Sequence, residues 1–145
     1  MNSPTVEDVD QEDQALEGAA AASDAAPAAI TVIAKAIGDL DLLVRALRCG
    51  LSLAKTWQRT LSEQLSQVDL DIELLRMTIA MERSDAEVRE AATRLHETLV
   101  RTDLHTTKAR CDLATKTAVR LALSLSRQIR DGCSTPLNSP DEATL

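Results

Sequence analysis

The chain has 145 residues, a formal net charge of −7, one Trp and neither Phe nor Tyr. This length is enough for one domain at most, and the near absence of aromatic side chains argues against an ordinary globular core, which draws much of its buried area from them. The remaining Leu, Ile, Val and Ala suit narrow helix–helix contacts, and only four Gly and four Pro interrupt the chain. An all-α fold is therefore expected.

The N-terminal segment is acidic and rich in Ala. Residues 1–29 contain seven acidic residues and no Lys or Arg. A segment of this kind buries too little apolar surface to offset the entropy of ordering, so residues 1–27 are predicted to be a disordered tail. Their charge disfavours contact with nucleic acid or an anionic membrane. Pro27, which is tolerated in a first helical turn, predicts a helix start near residue 28.

A heptad pattern runs from residue 30 to residue 79. Aliphatic side chains repeat with a period of 3.5 over seven heptads, which predicts a left-handed coiled coil. The predicted helix-pairing interface consists of Ile30, Ile33, Ile37, Leu40, Val44, Leu47, Leu51, Gln58, Leu61, Leu65, Val68, Ile72, Leu75 and Ile79. Gln58 is the polar member of this set, and a buried amide at such a position is predicted to fix the helix register.

The opposite face of the same helix is also apolar in two places. Leu42, Ala46, Cys49 and Leu53 form one predicted patch, and a second patch lies near residues 70–81. A helix that is apolar on two opposite faces is normally buried on both, so a further partner is expected. The predicted second interface consists of Leu42, Leu53, Trp57, Leu70, Leu74, Met77 and Met81.

A helix start is predicted at Ser84, with Glu87 three residues later in the pattern of a capping box. The sequence therefore favours two long helices, at 28–82 and 85–131, joined by a tight turn. One continuous helix of about 100 residues is the alternative, because no Gly or Pro enforces the break. Gly132 is predicted to end the second helix, and residues 132–145 are predicted to be a second disordered tail.

Neither catalysis nor a bound cofactor or metal is expected. The sequence has no glycine-rich phosphate loop and no nucleophile elbow. His96 and His105 lack Cys or acidic residues at ligand spacing. Three cysteines without a C-x-x-C spacing fit the reducing cytoplasm or nucleus, and no apolar stretch is long enough for a transmembrane segment.

These features predict a long antiparallel helical hairpin or coiled coil, completed as a multi-helix bundle by partner subunits. The predicted function is that of a non-enzymatic adaptor or scaffold subunit of a multi-subunit helical complex. Its layout resembles that of small subunits in organelle-positioning, vesicle-tethering and kinetochore or cytoskeletal assemblies. The expected partners are other helical proteins, in a hetero-oligomer by preference, with a homo-oligomer as the open alternative and no nucleic acid.

A regulatory binding protein is the alternative function. In that class a helix presents spaced aliphatic residues, followed by Gly-Asp, to a groove on its partner. A segment resembling this BH3 pattern is Ile30-x3-Ala34-x2-Ile37-Gly38-Asp39. The segment departs from the pattern because Ala34 replaces the usual Leu and Asp41 occupies the fourth apolar position.

Overall fold

The computed structural model describes residues 25–134, in which every regular element is an α-helix. The all-α class is confirmed. The predicted disordered tails lie outside the described residues, except at their inner edges, where residues 25–27 and 132–134 are helical. The four helices, in chain order, are α1 (Ala25–Gly50), α2 (Thr56–Ala80), α3 (Asp85–Lys108) and α4 (Leu113–Ser134).

Each of the two predicted long helices is divided into two shorter ones, so the bounds 28–82 and 85–131 are wrong. Breaks at residues 51–55 and 109–112 accompany the expected turn at residues 81–84. The heptad pattern crosses the first break because α1 and α2 both turn their apolar stripe towards the same core. A continuous rod and two antiparallel helices on one core need the same stripe, so the pattern cannot distinguish them.

The first break follows Gly50, the last residue of α1. The next helix then begins with side-chain capping by Gln58. Its Oε1 atom accepts a hydrogen bond from the backbone N–H of Lys55 at 3.0 Å and another from Ser52 Oγ at 3.3 Å. Because Gln58 lies in the first turn of α2, it satisfies a backbone donor at the start of a helix. The prediction that it fixes register inside a long seam is therefore corrected.

The middle turn has the hydrogen bonds of a Schellman motif without its usual glycine. Glu82 has a φ of 52°, in the left-handed region. The backbone N–H of Arg83 donates to Thr78 O at 3.1 Å, and that of Glu82 donates to Ile79 O at 3.0 Å. Ser84 then caps α3, as predicted, because its side chain accepts a hydrogen bond from Glu87 N at 3.3 Å.

The break at residues 109–112 ends with Asp112, which caps α4. Its carboxylate accepts hydrogen bonds from Thr115 N at 3.2 Å and from Thr115 Oγ1 at 2.6 Å. These two hydrogen bonds lower the pKa of the Asp112 carboxyl. An Asp followed three residues later by Thr is a helix-start signal that the sequence analysis missed.

The helices form an antiparallel ring in which α1 packs on α2, α2 on α3, α3 on α4, and α4 back on α1. Each helix turns one aliphatic stripe inward, as expected for helices that share a single core. The largest side chains that are fully buried in this core are Leu40, Leu61, Leu65, Ile72, Leu75, Leu95, Leu99 and Ile129.

A buried carboxylate links α2 and α3. Asp71 is only 2% exposed, and its Oδ2 accepts a hydrogen bond from Thr98 Oγ1 at 2.7 Å. Its Oδ1 accepts a second from Gln67 Nε2 at 3.1 Å. Since a buried charge is costly unless it is hydrogen-bonded, this arrangement penalises any sliding of α2 along α3.

A buried imidazole links α3 and α4. Ser126 Oγ donates to Leu123 O at 2.7 Å, so it accepts from His96 Nδ1–H at 3.2 Å. The pKa of His96 is lowered, first by burial and then by the positive charges of Arg130 and Arg127. The carboxylates of Asp131 and Glu97 act in the opposite direction but do not cancel the shift.

Gly132 lies inside α4 and does not end it, contrary to the prediction. A Cβ atom at this position would lie 3.0 Å from Cγ1 and 3.2 Å from Cδ1 of Ile33 on α1. The missing side chain therefore allows α1 and α4 to approach closely near the chain termini. Gly38, in the middle of α1, has no atom within 4 Å of its would-be Cβ and makes no such contact.

We expect Gly132→Val to lower the free energy of unfolding by about 1–3 kcal/mol, because its side chain would overlap Ile33. The matched substitution Gly38→Ala should raise the same quantity by about 0.5–1 kcal/mol, since it meets open space and improves helix propensity. Urea unfolding monitored by circular dichroism measures both. Stabilisation by Gly132→Val would contradict the close approach of α1 and α4.

We also expect the free energy of unfolding to fall as the pH falls through about 6.5. The unfolded chain binds a proton on His96 at the ordinary pKa of 6.5, whereas the folded chain resists protonation. The unfolded state therefore binds more protons in this range, and the loss levels off below the folded-state pKa. Urea titrations of the wild type and His96→Gln at several pH values between about 5 and 7.5 test this, and an unchanged pH slope in the variant would contradict it.

Candidate protein-interaction surface

Most of the predicted helix-pairing residues lie in the core of the chain's own bundle. Nine of the fourteen are 0–7% exposed: Ile33, Ile37, Leu40, Val44, Leu61, Leu65, Val68, Ile72 and Leu75. Leu47 and Leu51 are partly buried and pack against this core. These side chains are thus covered by helices of the same chain.

The two ends of the predicted seam are exposed, with Ile30 at 49% and Ile79 at 37%. Both line an end cleft with a volume of ≈ 570 Å³ where the start of α1 meets the end of α2. Its other lining residues include Val88 on α3 and Cys133 on α4, and burial raises the pKa of the Cys133 thiol. The cleft therefore lies at the end of the bundle where residues 25 and 134 are located.

The residues of the predicted second interface are spread over three places. Leu42 is exposed on the outer face of α1, whereas Leu53 belongs to the connection after Gly50. The predicted patch that joined them to Ala46 and Cys49 does not exist as one helical face, because α1 ends before Leu53. Trp57 is partly buried and packs on the core at the start of α2.

The other four residues of that interface form one continuous stripe on the outside of α2. Leu70 is 63% exposed, Leu74 42%, Met77 58% and Met81 58%. Their spacing of four, three and four residues places them on one side of the helix, or next to its end in the case of Met81. The inner face of α2 is already filled by fully buried leucines. We call Leu70, Leu74, Met77 and Met81 the α2 stripe.

A shallow groove with a volume of ≈ 370 Å³ runs beside the α2 stripe, between α2 and α3. Leu74 and Thr78 form its α2 wall, and Ala91 is the small residue on its α3 wall. Charges of both signs border it: Arg83, Glu87, Glu90 and Arg94. An apolar ridge beside a groove with a mixed polar rim is the usual anatomy of a protein interface.

The segment that resembles a BH3 helix is part of α1. Ile33 and Ile37 are 7% and 4% exposed, so its apolar side faces the bundle core, while Asp39 is exposed. Presentation of this apolar side to a partner's groove requires α1 to separate from α2 and α4.

Comparisons with known proteins returned no matching family model, no matching curated protein and no matching solved structure. Separately, none of the helices within residues 25–134 combines the length and apolar character needed to cross a bilayer.

Gln58→Leu distinguishes the capping role of Gln58 from a position in a continuous coiled-coil seam. Loss of the hydrogen bond to Lys55 N should lower the free energy of unfolding by about 1 kcal/mol. A leucine in a continuous seam would instead raise it, because an aliphatic residue would replace a buried amide. Thermal and urea unfolding of the variant provide the measurement, and a clear stabilisation would exclude the capping role.

Proposed function

We propose that the chain is a non-enzymatic adaptor subunit of a helical complex, and that it binds a helix of another protein through the α2 stripe. The α2 stripe carries this proposal. Four large apolar side chains, each 42–63% exposed, occupy one side of a helix whose other side is fully packed. Contiguous apolar surface of this kind is characteristic of interaction sites.

The binding mode differs from the one expected from the heptad pattern. An incomplete hairpin would require partner helices to finish its core, whereas the described residues already form a ring of four helices. Binding would therefore add a helix to the outside of a preformed bundle. Such docking orders few groups, so little conformational entropy opposes it.

A helical partner suits the α2 stripe because of its spacing. Side chains at i, i+4, i+7 and i+11 form the ridge that fits between the side-chain rows of another helix. The unbranched side chains of Met77 and Met81 adapt to an irregular partner surface. Arg83, Glu87, Glu90 and Arg94 along the groove would select a partner with complementary charges at its rim.

The wider role follows from this mode of binding. A small helical bundle with an exposed apolar stripe suits an adaptor or scaffold subunit, whose task is to hold other proteins. The three cysteines of the bundle are free, which is compatible with the cytoplasm or nucleus. Groove docking by α1, the BH3-like alternative, would first have to expose the buried Ile33 and Ile37.

The test is the double substitution Leu70→Ser/Met77→Ser in the full-length chain. We expect the affinity for the partner subunit to fall about 30-fold or more, because two central apolar side chains leave the contact. The free energy of unfolding should change by no more than about 0.5 kcal/mol, since both side chains are exposed. Photo-crosslinking from position 77 identifies the partner, and calorimetry with the purified partner measures the affinity.

Leu42→Ser/Leu121→Ser is the matched control. It removes two leucines that are 67% and 54% exposed on α1 and α4, away from the α2 stripe. Unchanged partner binding in the stripe variant, or equal loss in both variants, would refute the proposal. Sedimentation of the chain alone tests the homo-oligomer alternative. A dimer that dissociates only in the stripe variant would show that the partner is a second copy of this chain.

A further inference from the structure

Both unpredicted loops lie at the same end of the bundle. Gly50 and Leu51, where α1 ends, line a groove together with Ala114 and Thr115, where α4 begins. His105 near the end of α3 is hydrogen-bonded through Nε2 to the backbone oxygen of Trp57 at the start of α2, at 3.3 Å. We call this part of the bundle, residues 46–62 and 104–120, the loop end.

The loop end is strongly basic. It contains seven Lys and Arg residues and a single acidic residue, Asp112, whose carboxylate is occupied in capping α4. One of the seven, Arg48, forms an ion pair with Asp69 at 3.4 Å, and the other six make no salt bridge within residues 25–134. Those six are Lys55, Arg59, Lys108, Arg110, Lys116 and Arg120.

The opposite end has a different balance. Residues 25–37, 79–93 and 128–134 contain five acidic and four basic residues. The bundle is therefore electrically polarised along its axis, although residues 25–134 are close to neutral, with 14 acidic and 16 basic residues. A chain whose total charge is −7 can still present one positively charged end to an anionic surface.

Leucines are exposed among these cations. Leu53 in the first loop is 56% exposed, and Leu113, directly after the second loop, is 79% exposed. Leu104, one turn before the end of α3, is 52% exposed. Leu53 and Leu113 are not buried against the bundle, although Leu51 in the same first loop packs on the core. These residues thus add apolar tips to a basic surface.

We propose that the loop end binds an anionic lipid surface, with Leu53 and Leu113 entering the interfacial region of the bilayer. The six cations that make no salt bridge within residues 25–134 would contact phosphate groups. The two attractions add, because apolar area is buried while Lys and Arg approach the negative leaflet. The bundle axis would then stand away from the bilayer. The α2 stripe, on the side of the bundle, remains accessible to a partner, so this inference does not depend on the proposed function.

The exposed Leu53 and Leu113 favour a lipid surface over other polyanions. Nucleic acid offers phosphates but takes apolar side chains only where it is unstacked or kinked. A protein partner would use a ridge and groove, and neither Leu53 nor Leu113 lines the groove at the loop end. A bilayer accepts apolar tips of irregular arrangement because its interface is deformable, and it supplies negative charge around them.

The test is flotation of the full-length chain with two kinds of vesicle. One is pure phosphatidylcholine, and the other contains about 30 mol% phosphatidylserine. We expect binding to the anionic vesicles only, weakening strongly between about 0.1 M and about 0.5 M salt as the surface potential is screened. Absence of binding, or equal binding to both vesicles, would overturn the proposal.

Two variants test the two attractions separately. Arg110→Glu/Lys116→Glu should weaken binding at least about 100-fold, since each charge near the surface contributes about five-fold. Leu53→Ser/Leu113→Ser should weaken it about ten-fold without altering the charge. Lys35→Glu/Arg89→Glu, which makes the same change in total charge elsewhere, should lower the affinity far less than the first variant.

Leu70→Ser/Met77→Ser is the control for apolar surface and should leave vesicle binding unchanged. If it weakens binding as much as the Leu53 and Leu113 variant does, the loop end is not the lipid site. The last measurement is binding to a DNA duplex of matched charge. Binding to duplex as tight as that to vesicles, with no effect of Leu53→Ser/Leu113→Ser on either, would replace the lipid proposal with general polyanion binding.

Discussion

The bundle depends on one constraint: each of its four helices has an inward-facing aliphatic stripe, and all four of these stripes must be removed from water together. Leu40, Leu65, Leu95 and Val119 come from the four different helices and are all fully buried. The breaks at residues 51–55 and 109–112 follow from this constraint, because they allow each long apolar segment to fold back on itself.

Polar groups in this core limit how the helices can slide past one another. Asp71 requires Thr98 and Gln67 at its side, and the His96 imidazole requires the hydroxyl of Ser126. A third buried polar contact joins α1 to α2, where the carboxylate of Asp41 is paired with Arg76 at 3.4 Å. Displacing any of these helices would leave a charged or polar group buried without its partner, which costs more than the hydrogen bond contributes.

Because helices of the same chain already close the core, the exposed apolar side chains are not needed to complete it. Apolar side chains that were expected to complete an unfinished hairpin are instead left over on the outside of a finished bundle. The α2 stripe is one such set, and the loop end combines leucines with cations that make no salt bridge within residues 25–134. Because the two lie on different parts of the molecule, the proposed partner binding and the proposed lipid binding can occur together. Such an arrangement would hold a helical complex at a membrane surface.

The sequence by itself determined the all-α class, most core residues of α1 and α2, the turn at Ser84 and the apolar character of the α2 stripe. These features depend on local periodicity and capping, which act over a few residues. Only the tertiary structure decided that residues 25–134 form four helices, that Gln58 is a cap and that Gly132 is a point of close approach. The aliphatic stripe on each helix can be buried equally well by a partner chain or by other helices of the same chain. That choice depends on how the breaks bring distant stripes together, and periodicity carries no information about it.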